Sequence, residues 1–297
     1  RWKRVTGVQT CALPIFGVQN LAAAGFDVRG MVSFFERLQK NARLYENNAP
    51  AYMRTHPLTG DRITEMEGRV AQMPYKQVPD SLDFSLVRAK LKVGAVATKE
   101  VIGEFEAAAR APHPALAAQY GLVRAYLSVR RLADADREMV EVRKRHETSA
   151  MVAGLEGDLR LAHGDPAGAA QVFREARGRF PQSRRLLYGE LEALIDAGRP
   201  AEALTAVKAE VQTTPDSATL WELRARAEAA LGKRLAQHRS LAELYTIRGN
   251  YAAAVEQLTF AQSAGDGDFF EQSAVDSRLR EVRVLLAEQL REMRSQR

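Results

Sequence analysis

Side chains that could bind a metal or carry out acid–base chemistry are few in this sequence and poorly paired. No two of its histidines have the i, i+4 spacing that would present both to one metal from a helix face. The segment 146–150 (HETSA) begins like a His-Glu-x-x-His zinc motif but lacks the second histidine. There is no glycine-rich phosphate loop and no Gly-x-Ser-x-Gly sequence. These patterns alone therefore predict no catalytic constellation.

The elements that would position such residues are helical. The chain has 297 residues, a length typical of about two domains, and its 46% hydrophobic and 27% charged content excludes wholesale disorder. Helix formers dominate, runs of β-branched residues are absent, and no stretch of about 18 apolar residues could span a membrane. We therefore expect an all-α fold. The net charge of +6 is dispersed, which is a weak indication of nucleic-acid binding.

Residues 1–15 (RWKRVTGVQTCALPI) show neither a helical nor a strand period. Their polar positions interrupt the continuous apolar stretch that a secretory signal peptide needs. The string is typical of a translated sequencing adaptor fused to a truncated reading frame, so we interpret it as an artefact. On that interpretation Cys11 carries no function, and the native protein continues upstream of Phe16. A single cysteine also excludes an intrachain disulfide.

Residues 16–80 are predicted to form a helical unit with three helices, over 16–24, 28–41 and 59–73. Gly25 is expected to end the first helix in a left-handed conformation, and Asp27 to cap the second. A polar loop with the sequence Thr-His-Pro at 55–57 separates the second and third helices. Prolines at positions 74 and 79 mark a domain boundary near residue 80.

This unit resembles the end of the protease domain in the HtpX/BepA-like family of zinc metalloproteases. The resemblance rests on Gly17, on the Ala-Gly-Phe-Asp turn at 24–27, and on the Thr-His-Pro loop followed by Arg62. It implies that His56 lies near the metal of the intact parent, where it could contact zinc, and that Arg62 steadies the wall of the active site. The alternative is that His56 is a loop residue oriented by Pro57, and that Arg62 makes only local contacts.

The departures from the family pattern concern the metal site itself. The family places two histidines and the general-base glutamate in a His-Glu-x-x-His sequence, which this chain lacks. The family's third ligand, a glutamate, would fall at position 12, where this chain has alanine. Hydrolytic zinc needs three protein ligands and an open position for water. We therefore expect zinc in the intact parent and neither zinc nor peptide cleavage in this chain alone.

Residues 81–297 contain a repeat of 34 residues. Gly164, Gly198 and Gly232 follow one another at this interval, as do the pairs Ala169/Ala203 and Pro181/Pro215. That period, with alanine at the close approach of two helices and proline at the start of the next unit, is typical of tetratricopeptide repeats. We expect an α-solenoid in which each glycine forms the turn within a helix pair.

The repeat boundaries follow from the same residues. Clear units are predicted over 151–181 and 182–215, and a third begins at Asp216. Gly249 follows Gly232 after only 17 residues, so we expect the helix over 234–248 to serve both of its neighbours. Helices over 84–110 should cover the start of the array, and a charged last helix, ending near Met293, should cap it. Core side chains are expected at Phe173, Leu187, Leu191, Trp221 and Leu258.

Stacked helix pairs make a curved surface whose inner side can bind a segment of a partner protein. The partner-binding residues predicted on the first helices are Arg160, Arg185, Tyr188 and Glu222. With the resemblance, the leading hypothesis is the C-terminal part of a periplasmic zinc metalloendopeptidase that acts in outer-membrane protein assembly and quality control. In it the repeats would bind substrate, such as β-barrel precursors, or assembly machinery. The alternatives are a non-enzymatic tetratricopeptide adaptor and, more weakly, a nucleic-acid binder.

Overall fold

The computed structural model describes residues 16–44, 60–76, 78–145 and 149–295. Two compact units divide between Ser81 and Leu82. The described residues contain 15 helices and no strand, which confirms the expected all-α fold. Residues 1–15, the loop that contains His56, and His146 lie outside the described part of the chain. The backbone of Arg62 is helical, but its side chain also lies outside that part.

The first unit contains three described helices: α1 over 16–23, α2 over Arg29–Leu44 and α3 over Gly60–Ala71. Gly25 has a φ of 84°, and the backbone N–H of Phe26 donates to the carbonyl of Leu21 at 2.9 Å. This is the predicted left-handed end of α1. Asp27 accepts a hydrogen bond from the backbone N–H of Arg29 at 3.0 Å, so it caps α2 as expected.

A small apolar cluster holds these helices together. Val18, Val28 and Val70 are buried in it, with Met31 packed against them. Phe34 follows Met31 by three residues on α2, but 54% of the Phe34 side chain is exposed. The ring of Phe34 is thus not part of this cluster.

The second unit is an array of consecutive antiparallel helices. Its first half contains α4 (Leu82–Val93), α5 (Lys99–Ala109), α6 (Leu116–Ser128), α7 (Leu132–Lys144), α8 (Ala150–Ala162) and α9 (Pro166–Arg179). Its second half contains α10 (Arg184–Asp196), α11 (Pro200–Thr213), α12 (Ala218–Ala230), α13 (Arg234–Ile247), α14 (Tyr251–Ser263) and α15 (Phe269–Ser295). None of the described helices combines the length and apolar character that a membrane span requires.

The predicted turn glycines lie within the helix pairs. Gly164, Gly198 and Gly232 have φ values of 75°, 73° and 71°. At the equivalent place between α6 and α7 the chain has Arg130, with a φ of 60°. Its backbone N–H donates to the carbonyl of Leu127 at 3.1 Å, as the N–H of Gly164 donates to that of its own helix at 3.0 Å. The part of the array just before the predicted units is therefore a full helix pair whose turn lacks glycine.

Small residues let the helix pairs approach. A Cβ on Gly157 would collide with the ring of Phe173, and a Cβ on Gly189 would lie 2.7 Å from its Cε1. Phe173 therefore lies between helices of two successive repeats. Gly121 has the same relationship to Phe105 as Gly189 has to Phe173, two repeats earlier in the array. The predicted core residues Phe173, Leu187, Leu191 and Leu258 are buried, whereas Trp221 is only partly buried and its indole N–H donates to a backbone carbonyl at 2.7 Å.

Both ends of the array follow the predicted arrangement. Leu86 of α4 and Phe105 of α5 share one core with α6 and α7, so these helices extend the array at its start. Helix α13 packs against both α12 and α14, which confirms that it serves two neighbours. Val275 and Leu279 on α15 are buried against the core of α14. Most of the other α15 side chains are exposed, as a capping helix requires.

Candidate partner-binding groove

The first helices of successive pairs line one face of the array. Helices α4, α6, α8, α10 and α12 contact one another in that order. Among the described residues, the backbones of the consecutive second helices α5, α7, α9 and α11 approach one another less closely, and long side chains bridge the gap, as where Nη2 of Arg177 on α9 lies 3.5 Å from Glu210 on α11. Since the first helices lie closer together, the stack curves toward them. The sides of the first helices that face away from the second helices form the concave, inner surface of the stack. We call this surface the groove.

Five charged residues mark the groove at equal intervals. Each follows the previous one by 34 residues, so each occupies the same turn of its own first helix: Lys90, Arg124, Asp158, Glu192 and Arg226. The signs along the array are therefore two positive, two negative and one positive.

Asp158, one of these five residues, forms ion pairs with two arginines. Nη1 of Arg124 lies 3.5 Å from its Oδ2, and the guanidinium of Arg185, from the next repeat, forms an ion pair with its other oxygen. Burial raises the pKa of the Asp158 carboxyl, while the two arginines act in the opposite direction. Two guanidinium groups from different repeats are thus held on one partly buried carboxylate.

The guanidinium groups of both arginines lie over aromatic rings. Cζ of Arg185 lies 5.4 Å from the ring centroid of Phe173, and Cζ of Arg124 lies 6.0 Å from that of Tyr120. Both distances are within the range in which a cation interacts with the face of a ring. Tyr120 is 2% exposed, and burial raises the pKa of its hydroxyl. The two guanidiniums are therefore oriented from one side by the core and from the other by Asp158.

A cavity of about 260 Å³ opens beside Arg124 and Asp158. Its remaining walls are mostly apolar or small and come from the end of α4, the loop after it, and the ends of α6 and α8. Ser128 lies in this wall, but its hydroxyl is already used: it donates to the carbonyl of Ala125 and accepts from the backbone N–H of Ala97. The charged side chains on the wall of this cavity are those of Arg124 and Asp158.

The four groove residues predicted from sequence lie in different places. Arg185 belongs to the cluster around Asp158, whereas Nη1 of Arg160 is bound to Asp165, 3.0 Å away in the turn before α9. The Tyr188 hydroxyl lies 3.2 Å from Oγ of Ser217 and borders a separate cavity of about 230 Å³. Glu222 is exposed and lies 3.3 Å from Nη2 of Arg248. The structure thus does not gather these four into one site.

Sequence reasoning missed Lys90, Arg124 and Asp158. Their 34-residue spacing is a signal that could have identified them, since the same spacing revealed the turn glycines. Among the described residues, no group of three or more His, Cys, Asp or Glu side chains could hold a metal ion. The residues described here therefore do not fit the three-ligand zinc site of the resembled family.

A family model and curated relatives agree with the repeat and with the sequence resemblance. A family model described as tetratricopeptide repeat matches residues 155–218 and 192–236. A solved tetratricopeptide repeat protein from Parabacteroides merdae ATCC 43184 is similar with a TM-score of 0.45 and 15% identity, covering 93% of this chain and 98% of that one.

Curated relatives match almost the whole chain. The beta-barrel assembly-enhancing protease of Escherichia coli (strain K12) is 27% identical over 275 residues, which are 91% of this chain and 55% of the relative. A putative beta-barrel assembly-enhancing protease of Vibrio cholerae is 23% identical over 273 residues, 91% of this chain and 56% of the relative. The chain spans about half the length of these relatives. It is thus a tetratricopeptide-repeat α-solenoid, preceded by a small helical unit, that resembles the beta-barrel assembly-enhancing proteases along nearly its whole length.

Proposed function

We propose that this chain is part of a protein of outer-membrane protein assembly, and that its groove binds segments of unfolded β-barrel precursors or of assembly proteins. The observation that carries the proposal is the groove itself. Its first helices present charged side chains at equal intervals on the inner face of the stack, a surface suited to an extended segment. The names of the relatives supply the process, since they are beta-barrel assembly-enhancing proteases.

The finer part of the proposal concerns the intact parent. We infer that it is a periplasmic zinc metalloendopeptidase, and that this chain lacks the residues to act as one alone. The family resemblance supports zinc chemistry in the parent. The absence of a His-Glu-x-x-His sequence here supports inactivity of this chain. What the described residues of this chain contribute is partner binding, not bond cleavage.

Crosslinking tests the groove. Photoreactive benzoylphenylalanine replaces Glu192 on the inner face of α10, and a matched variant carries it at the exposed Lys208 on the second helix α11. Each purified chain is mixed with a urea-denatured outer-membrane β-barrel protein, diluted from urea and irradiated. We expect crosslinks from position 192 and few from position 208. Equal yields from both positions, or none from either, would contradict the proposal.

Metal analysis tests the finer part. The purified chain, incubated with zinc and then dialysed, should retain far less than one zinc ion per molecule and should not cleave casein. Stoichiometric zinc with cleavage would contradict inactivity of this chain alone. Sequencing upstream of Gly17 separates the parent from the adaptor alternative: an in-frame His-Glu-x-x-His sequence supports the protease, and a start codon near Phe16 supports the adaptor.

A further inference from the structure

Positive charge exceeds negative charge at the start of the groove. Lys90, Arg124 and Arg185 lie around the single carboxylate of Asp158. If all four groups are charged, the cluster carries an excess of two positive charges. Such an excess in a partly buried place is unfavourable unless an anion shares the site.

Two of these cations have bonding capacity to spare. Nε of Arg124 is buried and has no hydrogen-bond partner among the residues that the structure describes. The ammonium of Lys90 interacts with the charges of Arg124, Arg185 and Asp158 but has no hydrogen bond to another residue in the described part of the chain. Partial burial lowers the pKa of Lys90, and the nearby Arg124 and Arg185 lower it further. An unsatisfied buried donor and an ammonium held near two guanidiniums both favour a bound anion.

The space beside the cluster limits what that anion can be. The cavity of about 260 Å³ is bordered by Arg124 and Asp158 on one side and by Val93, Leu127 and Ala162 on another. Its size suits one or two side chains rather than a nucleic-acid backbone, which would need cations spread along a track. Its apolar wall suits an aliphatic side chain next to the charged group. A carboxylate on a peptide meets both requirements.

We propose that Lys90 and Arg124 bind an acidic side chain of a protein segment that lies along the groove, and that a neighbouring aliphatic side chain of that segment enters the cavity. This assignment rests on the proposed function of the groove as a binding site for protein segments. Arg185 takes a different part: it forms the closer of the two ion pairs with Asp158, so that Lys90 and the remaining N–H groups of Arg124 are left to the ligand. The recognised feature is a glutamate or aspartate beside an aliphatic residue.

Fluorescence anisotropy with the full chain tests the assignment. The probe is a labelled decapeptide, acetylated and amidated at its ends, with glutamates beside leucines; its partner probe has glutamine at each glutamate. We expect the glutamate peptide to bind at least tenfold more tightly, because charge-assisted hydrogen bonds are stronger than neutral ones. Raising the salt concentration should reduce that preference, since the site is only partly buried.

Variants locate the effect. Arg124→Gln and Lys90→Gln should each remove most of the preference for glutamate. Asp158→Asn should increase affinity for the glutamate peptide several-fold, a gain that unfolding cannot mimic. Arg226→Gln is the matched control: it occupies the same turn of its helix but lies in another repeat, where its Nη2 is 3.1 Å from Asp196. Circular dichroism confirms that each variant is folded.

Several outcomes would overturn the assignment. Equal affinity for the two peptides would do so, as would a preference that persists in both Arg124→Gln and Lys90→Gln. Tighter binding to a DNA duplex or to anionic lipid vesicles, lost in the same two variants, would replace the peptide by another anion. If crosslinking from position 192 to a denatured β-barrel protein persists, the groove still binds protein segments, and only the acidic-residue specificity is wrong.

Discussion

The ring of Phe173 occupies the space in which a side chain at Gly157 would lie. The two residues belong to the two helices of one repeat, and a Cβ on Gly157 would fall far inside van der Waals distance of the ring. Phe173 is fully buried, so it has no free space into which to move. The close approach of α8 and α9 therefore depends on the absence of a side chain at this position.

Gly157→Ala should destabilise the repeat unit by about 1–3 kcal/mol, because overpacking a filled core forces side chains or helices to shift. Gly103→Ala is the matched control, since a Cβ at this mid-helix position meets nothing within 4 Å. That control should be neutral or stabilising by up to about 1 kcal/mol, because alanine favours the helix. Urea denaturation measures both. Equal effects of the two substitutions would show that Phe173 does not limit the approach.

Arg130→Gly should stabilise the protein by about 1 kcal/mol. Arg130 has a φ of 60° in the turn between α6 and α7, where the later repeats have glycine. The left-handed conformation costs a residue with a Cβ about 1–2 kcal/mol. The reverse change, Gly164→Ala, should destabilise by a similar amount, although a Cβ there would meet no atom. Thermal unfolding measures both, and a loss of stability in Arg130→Gly would contradict this explanation.

Removing an arginine partner should lower the stability of the protein more at buried Glu228 than at buried Glu190. Glu228 is 1% exposed; Arg224 binds it with an Nε–Oε1 distance of 2.9 Å, and Ser240 donates to its other oxygen. Glu190 has two arginines, with Arg174 at 2.8 Å and Arg177 at 2.6 Å.

Arg224→Met should therefore cost about 3 kcal/mol of unfolding free energy, because it leaves a buried carboxylate without a counter-charge. Arg174→Met should cost less than about 1 kcal/mol, since Arg177 remains paired with Glu190. Urea denaturation of the two variants gives the comparison. Comparable losses in both would mean that the second arginine on Glu190 does not compensate.

Tyr126 should make the repeat unit sensitive to alkali. Burial and the adjacent Glu106, which accepts a hydrogen bond from the Tyr126 hydroxyl at 2.8 Å, raise the pKa of that hydroxyl to about 12. The folded pKa lies above that of an unfolded tyrosine, about 10. The folded state thus favours the protonated form, and the resulting stability is full below pH 10 and lost as the pH rises toward 12.

Comparison with Tyr126→Phe isolates this effect from the other groups that titrate in alkali. The stability difference between the wild-type chain and the variant should be constant up to about pH 9 and should shift in favour of the variant by pH 11. Urea midpoints at these pH values provide the measurement. A difference that does not change with pH would show that Tyr126 titrates normally.

The helices and the way in which they repeat could be predicted from the residues alone. Gly164, Gly198 and Gly232 mark their turns at a fixed interval because a left-handed turn favours glycine wherever it stands. Phe173 and Leu258 could be placed in the core for a similar reason: the repeat fixes which face of each helix meets its neighbours. These features depend on local conformation and on a periodicity that can be read directly from the residues.

Which charges act together depends on the packing of the helices. Arg124, Asp158 and Arg185 lie on three different helices, and they meet because the first helices stack with one another. The same dependence explains why Glu228 is buried and why Arg160 turns to Asp165 rather than to the cluster. An ion pair depends on distances of a few ångströms between helices, and those distances are set by packing, which the order of residues in any one helix does not reveal.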